Sequence, residues 1–163
     1  MTSQITALAR FGGLGHVKPH GALYNLAARD PVVADAVVGA VRAADASLVL
    51  YALAGSELAR CGRAQGLTVA EEIFSDRTYQ PDGSLTPRSR PDALITDEEA
   101  AVAQVLRMVR EGVVRSTGGT DVPVRADTVC LHGDGPQAVA FARRLNAALK
   151  AAGIELKAFT AKP

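Results

Sequence analysis

The chain has 163 residues, 48% of them hydrophobic and 21% charged, with a formal net charge of +1. That length fits one domain with a buried core and falls short of the roughly 250 residues that a closed (β/α)₈ barrel takes. Near neutrality and 4% aromatic residues with no Trp argue against nucleic-acid binding, and no apolar run approaches a membrane span.

Met1-Thr2-Ser3-Gln4-Ile5 has neither the basic start nor the apolar stretch of a signal peptide, so a cytoplasmic setting is expected. Gln4 to Ala9 reads as part of a helix leading into Leu14 to Lys18, a short strand. Pro31 to Arg42 reads as a helix with Pro in its first turn and Asp30 as its cap. Ser47 to Leu53 is a continuous apolar run, the pattern of a strand buried on both faces. Gly55 to Gln65 is helical and closed by Gly66, and Leu67 to Ile73 is a second buried strand. Ser75 to Asp92 is rich in Pro, Gly, Ser and Arg without periodicity, a loop long enough to suggest function. Asp97 to Glu111 is an amphipathic helix with Ala101, Val105, Met108 and Val109 on one face, and Thr96 with Glu99 suggests a capping box. Gly118, Gly119 and Pro123 mark a second loop. Asp127 to His132 reads as a strand, Pro136 to Ala152 as a helix ended by Gly153, and Ile154 to Phe159 as a last strand. Five strands alternating with helices predict an α/β fold with a parallel sheet and right-handed crossovers. No linker interrupts residues 1–163, so a single domain is expected.

In such folds ligands bind beyond the carboxyl ends of the strands. The first strand is followed by Lys18, His20, Gly21 and Asn25, and the second by Gly55, Ser56 and Glu57. Glu72, Asp76 and Arg77 stand at the third, and His132, Gly133 and Asp134 at the fourth. His16 and His20 are four apart, but Pro19 and Gly21 break any helix there, and an extended chain separates them by roughly 13 Å, too far to share a metal. His20 is therefore the candidate and His16 reads as structural. Lys18 can hold an anion as a point charge or pair with a carboxylate. His132 with Asp134 suits acid–base work or metal binding, or else a satisfied histidine near a helix cap. Arg77, Arg88 and Arg90 lie in or at the long loop. They can close over a carboxylated or phosphorylated substrate, or form a solvated basic loop. Cys61 and Cys130 form no CxxC pair and read as buried reduced thiols.

Together these segments resemble one family. His16-Val17-Lys18-Pro19-His20-Gly21-Ala22-Leu23-Tyr24-Asn25 is similar to the signature of the LamB/YcsF family. Ala54-Gly55-Ser56, Glu72-Ile73-Phe74-Ser75-Asp76-Arg77, Tyr79, Asp82-Gly83-Ser84-Leu85, Arg88-Ser89-Arg90 and Cys130-Leu131-His132-Gly133-Asp134 resemble its further blocks in order and spacing. The likeness covers nearly the whole chain. It implies part of an incomplete TIM-type (β/α) barrel resembling polysaccharide deacetylases. It also implies one component of an ATP-dependent 5-oxoprolinase, in which ATP hydrolysis drives opening by water of the lactam of 5-oxo-L-proline to L-glutamate, with partner subunits B and C.

A lactam is a poor electrophile, and phosphorylating its oxygen would expose the ring carbon to water. Such a site needs cations for phosphates, an acid–base group and a clamp for the substrate carboxylate. Lys18 and the arginines can supply the first and last, and His20, or His132 with Asp134, the second. The expected catalytic residues are therefore Lys18, His20, His132 and Asp134, and the expected substrate-binding residues Asn25, Ser56, Glu72, Asp76, Arg77, Arg88 and Arg90. ATP is the expected cofactor. A divalent metal, if one takes part, falls to His20, His132 and Asp134, as in an alternative reading as a metal-dependent deacetylase-like hydrolase. A further alternative is a fragment that only binds partner subunits.

Fifteen residues precede His16, and Met1 to Gly15 holds neither an Asp-Leu-Gly-Glu-like nor a Gly-Phe-His-like motif. The expectation is therefore a chain matching the family's carboxyl-terminal portion, with an open strand edge and uncovered apolar faces that favour self-association or a partner. Catalysis is expected of an assembly rather than of the chain alone.

Overall fold

The computed structural model describes residues 1–133 and 138–159. It divides into two compact units, the first comprising residues 1–72 with the terminal segment from Phe159, the second residues 73–158. The division falls within one strand.

The first unit contains α1 (Thr2–Ala9), β1 (His16–Val17), α2 (Gly21–Ala27), α3 (Pro31–Ala44), β2 (Val49–Leu53), α4 (Glu57–Ala64) and the start of β3 (Val69–Phe74). β1 pairs in parallel with β2, His16 opposite Val49, and β2 in parallel with β3, Leu50 opposite Val69 and Leu53 opposite Glu72. The expected strand–helix alternation and parallel pairing are therefore present. Asp30 caps α3 as the sequence suggests, accepting from the backbone N–H groups of Val32 and Val33, with Pro31 opening the helix. Ser56 caps α4 by accepting from Ala59.

Val37, Val38 and Val41 of α3 pack with Leu58 of α4 and with Leu50, Ala52 and Val69 of the strands. Each fully buried Val or Leu contributes about 1.5–3 kcal/mol. A methyl at Gly62 would lie 2.9 Å from both Leu50 Cδ2 and Val69 Cγ2, so a side chain there would force these two buried groups to shift.

The second unit begins with Ile73 and Phe74 at the end of β3, which neighbours β6 (Thr128–Cys130). It also holds α5 (Glu98–Glu111), β4 (Val113–Arg115), β5 (Asp121–Pro123) and α6 (Ala138–Ala151). The segment expected as a loop, Ser75 to Asp92, has no regular strand or helix, but it is a packed element. Tyr79 and Thr86 are fully buried and Arg77 is 4% exposed. The Tyr79 hydroxyl oxygen accepts from the Phe74 N–H at 2.8 Å, and Gln104 of α5 donates to the carbonyls of Phe74 and Arg77.

Several local expectations need correction. No helix spans His16 to His20, as expected, but α2 follows directly, starting at Gly21 with His20 as its N-cap residue; it goes unread in the sequence because a proline just before a helix removes only a donor the helix does not need. The cap of α5 is Asp97, whose carboxylate accepts from Ala100, rather than Thr96. The region of Gly118, Gly119 and Pro123 is the tip and second arm of an antiparallel hairpin, β4 with β5. Ile154 to Phe159 forms no strand. Its apolar alternation finds no pairing partner among the described residues, and Leu156 is 42% exposed. The start of the helix expected from Pro136 lies outside the described residues. Neither cysteine forms a disulfide; Cys61 is buried and Cys130 half-buried. No helix among the described residues is long and apolar enough to cross a membrane.

Candidate functional site

Two polar clusters stand at strand ends, one in each unit. In the first unit, consecutive residues of β3 point to opposite faces of the sheet. Glu71 reaches Arg63 of α4 and accepts from the Gly55 N–H at 2.7 Å, tying the β2–α4 turn to the strand. Glu72, 3% exposed, faces the other way. Its Oε1 accepts from Lys18 Nζ at 2.7 Å and its Oε2 from the Tyr24 hydroxyl at 2.9 Å. Lys18 Nζ also lies 5.7 Å from the Tyr24 ring centroid. Both carboxylate oxygens are thus engaged, and the buried negative charge is balanced, as burial of an ion requires. Burial, with the charge of Glu72, raises the Tyr51 phenol above its ordinary value. His16 stacks on Tyr51 with ring centroids 4.3 Å apart, consistent with its structural reading.

In the second unit, Asp76 leaves β3 as the chain enters the packed loop, and His132 follows β6. Asp76 Oδ2 lies 2.6 Å from His132 Nδ1, and Arg88 Nη2 lies 2.9 Å from His132 Nε2. A guanidinium only donates, so Nε2 accepts. The proton assigned from these partners sits on Nδ1 and is donated to Asp76. The Phe74 ring flanks the imidazole at 5.9 Å. The other Asp76 oxygen, Oδ1, is buried without a hydrogen-bond partner among the described residues. An unmet buried acceptor costs about 1–3 kcal/mol or more when charged, and asks for an explanation. The chemistry on offer is an imidazole held in one tautomer by a carboxylate, with its second nitrogen directed at an exposed cation.

The remaining candidates are distributed as follows. His20 is exposed and makes no side-chain cap bond. Asn25 is exposed and donates to the Gly21 carbonyl one turn back. Ser56 is buried as the α4 cap. Arg77, read as a substrate clamp, is buried and donates to the carbonyls of Thr86 and Ala93, where it staples the loop. Burial, with the neighbouring charge of Arg88, lowers its affinity for the proton. Arg90 pairs with Asp92 at the surface. Asp134 lies outside the described residues, and the described carboxylate bonded to His132 is Asp76. Among the described residues no group of three or more His, Cys, Asp or Glu side chains could hold a metal ion. Tyr24 stands inside the first motif, yet sequence reasoning gives it no role. Its reach to Glu72 depends on α2, a short helix with no clear periodicity in the sequence.

Comparison with known proteins places these residues in context. The model of the LamB/YcsF family matches residues 1–163. A protein of Geobacillus kaustophilus, named as the A subunit of 5-oxoprolinase, is 60% identical over 160 residues, covering 95% of this chain and 62% of that protein. Its namesake in Bacillus subtilis is 57% identical over 145 residues, covering 89% of this chain and 56% of that protein. The crystal structure of a lactam utilization protein from Thermus thermophilus superimposes with a TM-score of 0.81 at 42% identity, covering 97% of this chain and 68% of that one. The chain thus spans about three fifths of the length of these curated relatives, and its fold is that of the solved neighbour. The family expected from the motifs is the one found: the chain belongs to the LamB/YcsF family.

Proposed function

We propose that this chain carries the lactam-handling chemistry of a 5-oxoprolinase, a cyclic amide hydrolase that converts 5-oxo-L-proline to L-glutamate at the expense of ATP in an assembly with subunits B and C. The observation that carries the reading is the Asp76–His132 pair, at strand ends of a chain 60% identical to a protein named as the A subunit of 5-oxoprolinase. That name speaks of one component among several, which supports an assembly.

In this reading His132 is the general acid–base group. Asp76 holds the imidazole with its proton on Nδ1, leaving the Nε2 lone pair as the base for water. Arg88, adjacent to Nε2, receives the substrate carboxylate. Lys18 is held by Glu72 and Tyr24 as a fixed ammonium at the end of β1. Among the described residues nothing forms a triphosphate cradle. Lys18 is balanced by Glu72, Arg77 donates to carbonyls, and Arg90 pairs with Asp92. In this reading nucleotide use belongs to the assembly.

The test is glutamate release from 5-oxoproline by the chain mixed with subunits B and C, with and without ATP, and a metal analysis of the purified chain. The reading expects release only with ATP and all three subunits. Release by the chain alone with a stoichiometric divalent metal would favour a metal-dependent hydrolase, and no release under any condition would leave only a partner-binding role.

A further inference from the structure

Arg88 makes an unusual contact. It is an exposed cation that donates to the Nε2 of a neutral imidazole, and among the described residues no acidic partner balances it. The other arginines of its loop are committed: Arg77 to two carbonyls in the interior, Arg90 to Asp92. The turn that carries Arg88 is closed by an Arg90 N–H to Pro87 carbonyl bond of 2.9 Å. The turn stands on buried Leu85 and Thr86, so the tip can shift while its base stays anchored. A guanidinium fork bonds a carboxylate bidentately, with charge-assisted hydrogen bonds about twice as strong as neutral ones. A carboxylate therefore outcompetes the imidazole for Arg88.

We propose that Arg88 is a carboxylate-released cap on His132. In the free protein it occupies the Nε2 lone pair. When the carboxylate of a small monoanionic substrate engages the guanidinium, Arg88 leaves the imidazole and Nε2 becomes available as a base. The inference rests on the reading of His132 as the acid–base group. It deepens that reading by making the base available only when the carboxylate is bound. Among the described residues Arg88 is the one guanidinium at His132 without an acidic partner, which suits a monoanion rather than a polyphosphate, since the latter calls for several cations. A neutral lactam without a carboxylate would not uncap the base, so the device selects for the acid.

The experiment is long-range ¹H–¹⁵N NMR of the His132 ring in the full chain, wild type and Arg88→Ala, titrated separately with 5-oxoproline, 2-pyrrolidinone, acetate and inorganic phosphate. In the wild type, acetate and 5-oxoproline should move the Nε2 resonance toward that of an unbonded ring nitrogen, whereas 2-pyrrolidinone should not. In Arg88→Ala the resonance should start at that position and not respond, and 5-oxoproline should bind about 10- to 100-fold more weakly, as expected for loss of charged hydrogen bonds. Movement by acetate but not by 5-oxoproline would keep the cap and overturn the substrate reading. An unmoved Nε2 with acetate and with bound 5-oxoproline, the same movement with 2-pyrrolidinone, or movement with phosphate alone would overturn the cap.

Discussion

Glu72 and Asp76 are four positions apart in sequence, and each ends up beside a basic side chain more than 50 residues distant, yet the two carboxylates are in opposite states. Glu72 has both oxygens bonded, to Lys18 and Tyr24, and is almost wholly buried. Asp76 is bonded through one oxygen to an imidazole, leaves the other buried with no partner among the described residues, and is a fifth exposed. A group that stabilises a fold has its partners supplied, whereas an unmet group is tolerated where function needs it. The first cluster fixes a charge in place. The second is arranged to change its bonding.

The largest expected effect is on chemistry in the second cluster. His132→Ala in the reconstituted assembly should lower kcat/KM by about 10²- to 10⁴-fold, the range for a lost acid–base group, read from glutamate release. Near-normal turnover would mean that the open cluster is not the acid–base centre. Next comes stability in the first cluster. Lys18→Ala strands a buried carboxylate and should cost about 3–5 kcal/mol in urea unfolding. Adding Glu72→Gln to Lys18→Ala should recover part of that loss, since paired residues are not additive. If the double variant is as unstable as the two losses summed, the cluster is not a closed unit.

The smallest effect is a titration. The Tyr51 phenol is raised above its usual value of about 10 by burial and then by Glu72. Its folded value thus exceeds its unfolded one, so the fold favours the protonated form. That stability is fully present below the unfolded value and is lost as pH rises through the folded one. The phenolate absorbance that disappears in Tyr51→Phe should titrate above the ordinary phenol range and move down toward it in Glu72→Gln. No difference between the two backgrounds would remove the Glu72 charge from this account.

Much of the local structure is legible in the sequence. The apolar runs of β2 and β3, the Asp30 cap and the amphipathic face of α5 are properties of neighbouring residues and can be read from them. The hairpin of β4 and β5 is not, because three-residue arms carry too little alternation to separate from a loop. Ile154 to Phe159 fails in the opposite sense, since alternation makes a strand only where a neighbour offers hydrogen bonds. The site follows the same division. Strand-end position brings forward Lys18, Glu72, Asp76 and His132. That Asp76 serves His132 is not legible: it stands 56 positions earlier and arrives because β6 lies beside β3. Arg77 misleads for a related reason. Its residue type suggests a clamp for an anion, but its burial and its two carbonyl partners exist only once the loop has folded.

The contrast between the two carboxylates rests most directly on Asp76→Asn, with thermal unfolding and glutamate release by the assembly measured on the same preparation. The account predicts a fall in rate of at least about 100-fold, as the imidazole loses the partner that fixes its tautomer. The unfolding midpoint should be unchanged or higher, because the variant no longer buries a carboxylate oxygen that lacks a partner among the described residues. A markedly lower midpoint with the rate preserved would contradict it, and would make Asp76 a structural residue like Glu72.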